Sequence, residues 1–150
     1  MVSMDMLRPA SLFEGLTDDQ LAQVARISSE VTYQANQYIF RENDAATNLY
    51  IVISGRVAVL IELGSGKQTM VDTISRGETF GWSSMVPPHA MTASAKAVAP
   101  TVVVAIPGAQ LRDFCLTDCR MCFQLMENLA STISLRLKDT RLQLTSLAAA

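Results

Sequence analysis

Hydrophobic and polar positions change their period twice along this chain. Behind Thr17, the residues Leu21, Val24, Ala25 and Ser28 share one face at helical spacing. Thr17-Asp18-Asp19-Gln20 fits a capping box, in which a threonine oxygen and a glutamine side chain satisfy backbone donors that the first turn leaves unpaired. Leu16 before the cap and Leu21 behind it have the placement of a hydrophobic staple. From Val31 the period shortens to two. Val31–Gln34, Tyr38–Arg41, Leu49–Ser54, Val57–Leu63, Gln68–Ile74, Thr92–Val98 and Thr101–Ile106 read as short strands. Ala35-Asn36-Gln37, Asn43-Asp44, Gly55 and Ser75-Arg76-Gly77-Glu78 are the turns between them, and Gly64-Ser65-Gly66-Lys67 closes a hairpin. Turn signals at about 8–12-residue spacing predict an antiparallel sandwich or barrel, not a parallel α/β sheet.

After Ile106 the helical period returns. Pro107 suits a first helical turn, where its missing N–H costs nothing, and Leu111 with Phe114 forms that helix's apolar side. Thr117-Asp118 can cap a second helix from about Cys119 to Thr145, which has no internal Gly or Pro. Phe123, Ala130, Leu137 and Leu144 recur every seventh residue, with Met126, Ile133 and Thr140 interleaved. Such a seam favours pairing with a second copy. Leu125 and Leu129 supply another apolar face for the chain's own sheets, and Arg136, Lys138, Asp139 and Arg141 are expected to flank the seam in solvent.

Composition narrows the class. Of 150 residues, 49% are hydrophobic and 17% charged, enough for one packed domain and unlike a disordered chain. The formal charge is −2 and the pI about 5.3. Proteins that grip nucleic acid carry a basic patch, so direct DNA binding by this chain is not expected. Met1 to Arg8 has no apolar run of a secretory signal, and the most apolar stretch, Val98 to Ile106, is interrupted by Pro100 and too short to span a bilayer. No membrane association is expected. Cys115, Cys119 and Cys122 are an odd, clustered set, a poor disulfide framework, and point to a reducing, cytoplasmic setting. Cys-x2-Cys spacing near a helix start is also the sharpest rival signal, because thiolates there bind metals or act in redox chemistry. Buried cysteine serving as a small hydrophobe is the commoner case. With one His in the chain, no Ser-His-Asp arrangement is suggested, and an enzyme is not expected.

Five segments, in order, resemble the cyclic-nucleotide-binding β-roll family of catabolite-activator-like and fumarate-nitrate-regulator-like sensory domains. They are Leu12-Phe13-Glu14-Gly15-Leu16-Thr17, Tyr38 to Ala46, Leu49 to Val57 with Gly55 as turn glycine, Gly77-Glu78-Thr79-Phe80-Gly81, and Thr92-Ala93-Ser94-Ala95-Lys96-Ala97. The resemblance implies a mainly β fold with flanking helices: a jelly-roll-like β-roll, or double-stranded β-helix, with a helix before it and helices after it. It divides the chain into an extension (1–11), the roll with its first helix (12–117) and a dimerisation helix (118–147). Transcription regulators of this family continue into a helix-turn-helix, and no such pattern follows Leu144.

The family's phosphate-binding cassette implies a ligand site at Gly81, Trp82, Ser83, Ser84, Met85, His89, Ala90, Met91, Thr92 and Ala93, with cyclic AMP, cyclic GMP or another small anion as candidate ligand. In the family a Glu follows the glycine and holds the ribose hydroxyl, and an Arg before the exit strand pairs the phosphate, where a guanidinium fork fits best. Here Trp82 stands at the Glu position. Met91 stands at the Arg position by spacing from Ala97, or Ala90 with a one-residue shift. Hydrogen bonds to charged groups are worth about 1.5–3 kcal/mol each, so losing both weakens binding by roughly two to four decades. Ordinary cyclic AMP binding is therefore expected to be weak, altered or absent. Trp82 is either a platform for a base or a lid on the pocket. His89, after Pro87-Pro88, is expected as an exposed loop residue; the alternative is that its protonated ring replaces the missing Arg. The expected function is sensory regulation through the C-terminal helix in a homodimer, with a ligand-free scaffold or a cysteine-based redox or metal sensor as alternatives.

Overall fold

A computed structural model describes residues 1–149. The chain opens with α1 (Met4–Leu7), a 3-10 turn (Ser11–Phe13) and α2 (Asp18–Ile27). Eight strands follow: β1 (Ser29–Tyr33), β2 (Tyr38–Phe40), β3 (Asn48–Ser54), β4 (Val57–Glu62), β5 (Gln68–Ile74), β6 (Thr79–Phe80), β7 (Ser94–Ala97) and β8 (Thr101–Pro107). A second 3-10 turn (Trp82–Ser84) lies between β6 and β7, and α3 (Gly108–Thr117) and α4 (Cys119–Ala149) close the chain. The strands form two four-stranded antiparallel sheets, ordered β1-β8-β3-β6 and β2-β7-β4-β5. This is the antiparallel architecture that the strand and turn pattern predicts, in the form of the mainly β roll with flanking helices that the resemblance implies.

The unbroken apolar runs of β3 and β8 have a reason. Side chains alternate across a strand, and a strand buried on both faces loses its polar half. Tyr50 and Val52 of β3, with Val103 and Ala105 of β8, point between the sheets and meet Val57, Ile74, Phe80 and Ala95. Leu49, Ile51, Val104 and Ile106 point the other way and meet Leu12, Phe13, Leu21, Val24, Leu111, Met121, Leu125 and Leu129. β6 was not expected from sequence, because two residues are too few to show a period. Pro107 ends β8, paired with Asn48, and precedes α3 in an extended conformation rather than sitting inside its first turn. The first eleven residues pack on the rest of the chain: Leu7 is fully buried, and the Val2 N–H donates to Ala25 O at 3.1 Å.

Gly55 joins β3 to β4 at φ +92°, and a Cβ there would lie 2.5 Å from Pro100 O and from Thr101 Oγ1. Only glycine fits that crossing of backbones.

Two helix starts are tied through one amide. Thr17 caps α2 with the expected box: its Oγ1 accepts from Gln20 N–H at 3.2 Å, and Gln20 Oε1 accepts from Thr17 N–H at 2.9 Å. The same Gln20 donates from Nε2 to Asp118 Oδ2 at 3.1 Å, while Asp118 Oδ1 accepts from Met121 N–H at 3.0 Å and so caps α4. Those bonds, Met121 N–H foremost and then Gln20, hold the Asp118 carboxyl below the usual carboxylate range. Further along α4, Met121, Leu125 and Leu129 pack on the roll, and Asn128 Nδ2 donates to Leu12 O and Glu14 O, both at 2.8 Å. Phe123, Leu137 and Leu144 of the heptad seam stay exposed, Phe123 at 70%.

Candidate functional site

The cassette segment stands at the mouth of the roll. β6 delivers the chain to Gly81, at φ +76°, where a Cβ would come within 2.9 Å of the Tyr50 ring. Glycine lets the chain pass that ring and turn at once into Trp82–Ser84. The floor is aromatic: Phe40 and Phe80 face the cradle and stack with Tyr50 beneath them, with centroids 5.0 to 6.1 Å apart. Above them lies a cavity of about 70 Å³, lined by Phe40, Val59 and Phe80, by Gly81-Trp82-Ser83, by Met91-Thr92-Ala93, and by Arg136. Small-molecule pockets run to about 300–1,000 Å³, so the cradle as it stands is small for a nucleotide.

The remaining candidates lie elsewhere. Ser84 is buried; its Oγ donates to Gly81 O at 3.1 Å, its backbone O accepts from the Arg112 guanidinium, and a Cβ on Gly108 would meet its Cβ and O at 2.8 Å. Met85 is buried in the helix-side core, and Ala90 bridges Ala45. His89 is not the exposed loop residue expected. Its N–H donates to Val86 O at 3.0 Å and its O accepts from Ala46 N–H at 2.8 Å, while Met91 and Asp44 pin the next turn. This folds the loop back and leaves His89 half-buried, with Nε2 enclosed and unpartnered among the described residues. It does not line the cavity and is not placed to stand in for the missing arginine. Ser94 Oγ, another small group near the cassette, is engaged with Glu42 N–H at 2.8 Å.

Arg136 overturns a second expectation. Its place beside the heptad seam predicts a solvated side chain, yet that side chain is only 16% exposed. The guanidinium carbon lies 4.5 Å from the Trp82 ring centre, Nη2 donates to Thr79 O, and Nε is 3.6 Å from Asp72 Oδ2. A guanidinium over an indole face is attracted by the ring quadrupole, and more strongly once desolvated. Burial draws the Arg136 pKa down, opposed by the charges of Asp72 and Glu78. The sequence did hold a signal for it: Leu129, Ile133 and Arg136 follow i, i+4, i+7 spacing, which puts 136 on the face that Leu129 packs against the roll. Arg76 lines a different cleft, with Asp5 and Pro9.

The three cysteines are free thiols around a shallow recess shared with Phe123, Met126 and Glu127. Burial, followed by the neighbouring Cys122, pushes the Cys115 thiol up to about 12. The thiolate is the metal ligand and nucleophile, so at neutral pH Cys115 is the inert, protonated form. Among the described residues no three His, Cys, Asp or Glu side chains are grouped to hold a metal ion.

Two rolled antiparallel sheets, a glycine-led 3-10 turn at an aromatic-floored cradle and a long helix closing it define a regulatory β-roll. The chain belongs to the cyclic nucleotide-binding domain family, whose model matches residues 30–118. A putative cyclic nucleotide-binding protein of Geobacter metallireducens superposes with a TM-score of 0.82 at 35% identity, covering 91% of this chain and 99% of that one. The cyclic AMP receptor protein of Thermus thermophilus is 27% identical over 138 residues, 92% of this chain and 62% of the receptor. The cGMP-dependent protein kinase isozyme 1 of Drosophila melanogaster is 30% identical over 102 residues, 67% of this chain and only 13% of the kinase. No helix among the described residues is long and apolar enough to cross a membrane.

Proposed function

We propose that this chain is a ligand-sensing regulatory module whose cradle takes a small anionic molecule of the cyclic nucleotide class, with ordinary cyclic AMP recognition altered by Trp82 and Met91. Residues 12–117 form the sensing part and 118–147 the output helix, working as a homodimer in the cytoplasm. The observation that carries this reading is the cradle itself: Gly81-Trp82-Ser83 and Met91-Thr92-Ala93 converge on one cavity, and a residue of α4 forms its wall. Occupancy and helix position are thereby in direct contact. A ligand shifts such an equilibrium only by its differential affinity for the two arrangements, and enlarging the cradle requires Trp82, Arg136 or both to yield.

The small size of the cavity favours a second reading, a ligand-free scaffold plugged by Trp82. Calorimetric titration with cyclic AMP and cyclic GMP separates the two. Saturable binding with Kd between about 10 µM and 1 mM is expected, the range left when a micromolar site loses part of its charged contacts. No heat with either nucleotide at millimolar concentration supports the scaffold, and submicromolar binding overturns the altered-recognition reading.

A further inference from the structure

The cradle's wall holds one cation, and it comes from the far end of the sequence. We propose that Arg136 is the anion clamp of this cradle: its guanidinium leaves Asp72 for the negatively charged group of the ligand, so that the charge contact absent at position 91 is made from the output helix. This rests on reading the cradle as a ligand site.

Four observations carry it. Met91, at the spacing of the family's arginine, is buried and apolar and turns no charge towards the cavity. Arg136 is the only Lys or Arg among the lining residues. Its present contacts leave capacity to spare. A guanidinium has five N–H donors, yet the partners recorded are one carbonyl and one carboxylate, the latter met at a single point by Nε at 3.6 Å. Nη1 has no hydrogen-bond partner among the described residues. Finally, Asp72 is itself 39% exposed, so solvent stands ready to take over its charge once the guanidinium is withdrawn. A phosphoryl group accepts a bidentate fork, which a lone off-axis carboxylate contact does not provide. Arg136 is also the last residue of α4 that is not exposed. Its exchange of partners thus acts where the helix parts from the roll, which links the ligand's charge to the direction of the free half of α4.

The test compares nucleotide with nucleoside. Cyclic AMP and cyclic GMP, and adenosine and guanosine as their uncharged counterparts, are titrated into the full chain, followed by calorimetry and by the fluorescence of Trp82, the only tryptophan. The nucleotide is expected to bind at least tenfold more tightly than its nucleoside. Arg136→Ala should weaken nucleotide binding roughly ten- to hundredfold, the worth of one charge-assisted contact, and leave the nucleoside unchanged. Arg136→Lys should recover part of the loss. Asp72→Asn removes the competing carboxylate and should tighten nucleotide binding several-fold, a gain that damaged folding does not produce. If Arg136→Ala binds nucleotide as well as the parent or better, Arg136 is only a plug and the clamp is wrong. If the parent chain binds neither nucleotides nor nucleosides, the ligand-site reading itself falls and the clamp falls with it.

Discussion

A single Cβ decides several junctions in this roll. At Gly55 the left-handed backbone and the approach of Pro100 O and Thr101 Oγ1 act together. A non-glycine residue in that region costs about 1–2 kcal/mol, and forcing atoms into a packed site typically another 1–3. Gly55→Ala should therefore lower stability by roughly 2–5 kcal/mol, read as a shift of the urea midpoint with an unchanged m-value. This junction was legible from the sequence, because a glycine between two apolar strands marks such a turn. His89 was not. Its burial follows from how the loop is pinned to the turn at Asp44 and Ala46, contacts made across more than forty residues that no local pattern reveals.

Among the elements, α4 shows what helical periodicity can and cannot assign. Its start at Cys119 and its packing face at Leu125 and Leu129 were readable from the cap and the spacing. The side on which Arg136 falls was readable too, but a charged residue beside a heptad seam is ordinarily solvated, and here the Trp82 indole, the Thr79 carbonyl and the Asp72 carboxylate together offset its burial. The cap gives a pH prediction. Asp118 has its pKa lowered in the folded chain, so its contribution to stability is present above the carboxylate's ordinary value of about 3.9 and is lost as pH falls through the lowered value. Once the pH falls below that lowered value the first turns of α4 should therefore fray, with faster amide exchange at Met121 and its neighbours. Asp118→Ala should show the faster exchange already at neutral pH and lose the acid step.

On the scale of the whole molecule, the fold was the most legible part, since strand spacing and five ordered segments agree on one architecture. The charged side of the cradle was the least legible, because it is assembled from β5, β6 and a helix more than forty residues beyond the cassette. Assembly is the remaining question at this scale. Phe123, Leu137 and Leu144 form an exposed apolar line on a helix whose first half packs its other side on the roll. Under the homodimer proposal, Leu137→Glu should convert the sedimentation profile from dimer to monomer at micromolar concentration while the melting temperature of the roll changes little. An unchanged profile would assign the seam to some other role.

The bare backbone of Gly108 has a consequence for motion. With no side chain between them, the start of α3 rests on Ser84, and Arg112 grips the same residue's carbonyl. The cassette turn and the start of α3 are therefore in direct contact, and a shift of Ser84 presses on Gly108 and Arg112. The swing is left to the half of α4 beyond Arg136, because Asp118 is tied to Gln20 of α2 and Met121, Leu125 and Leu129 are packed on the roll.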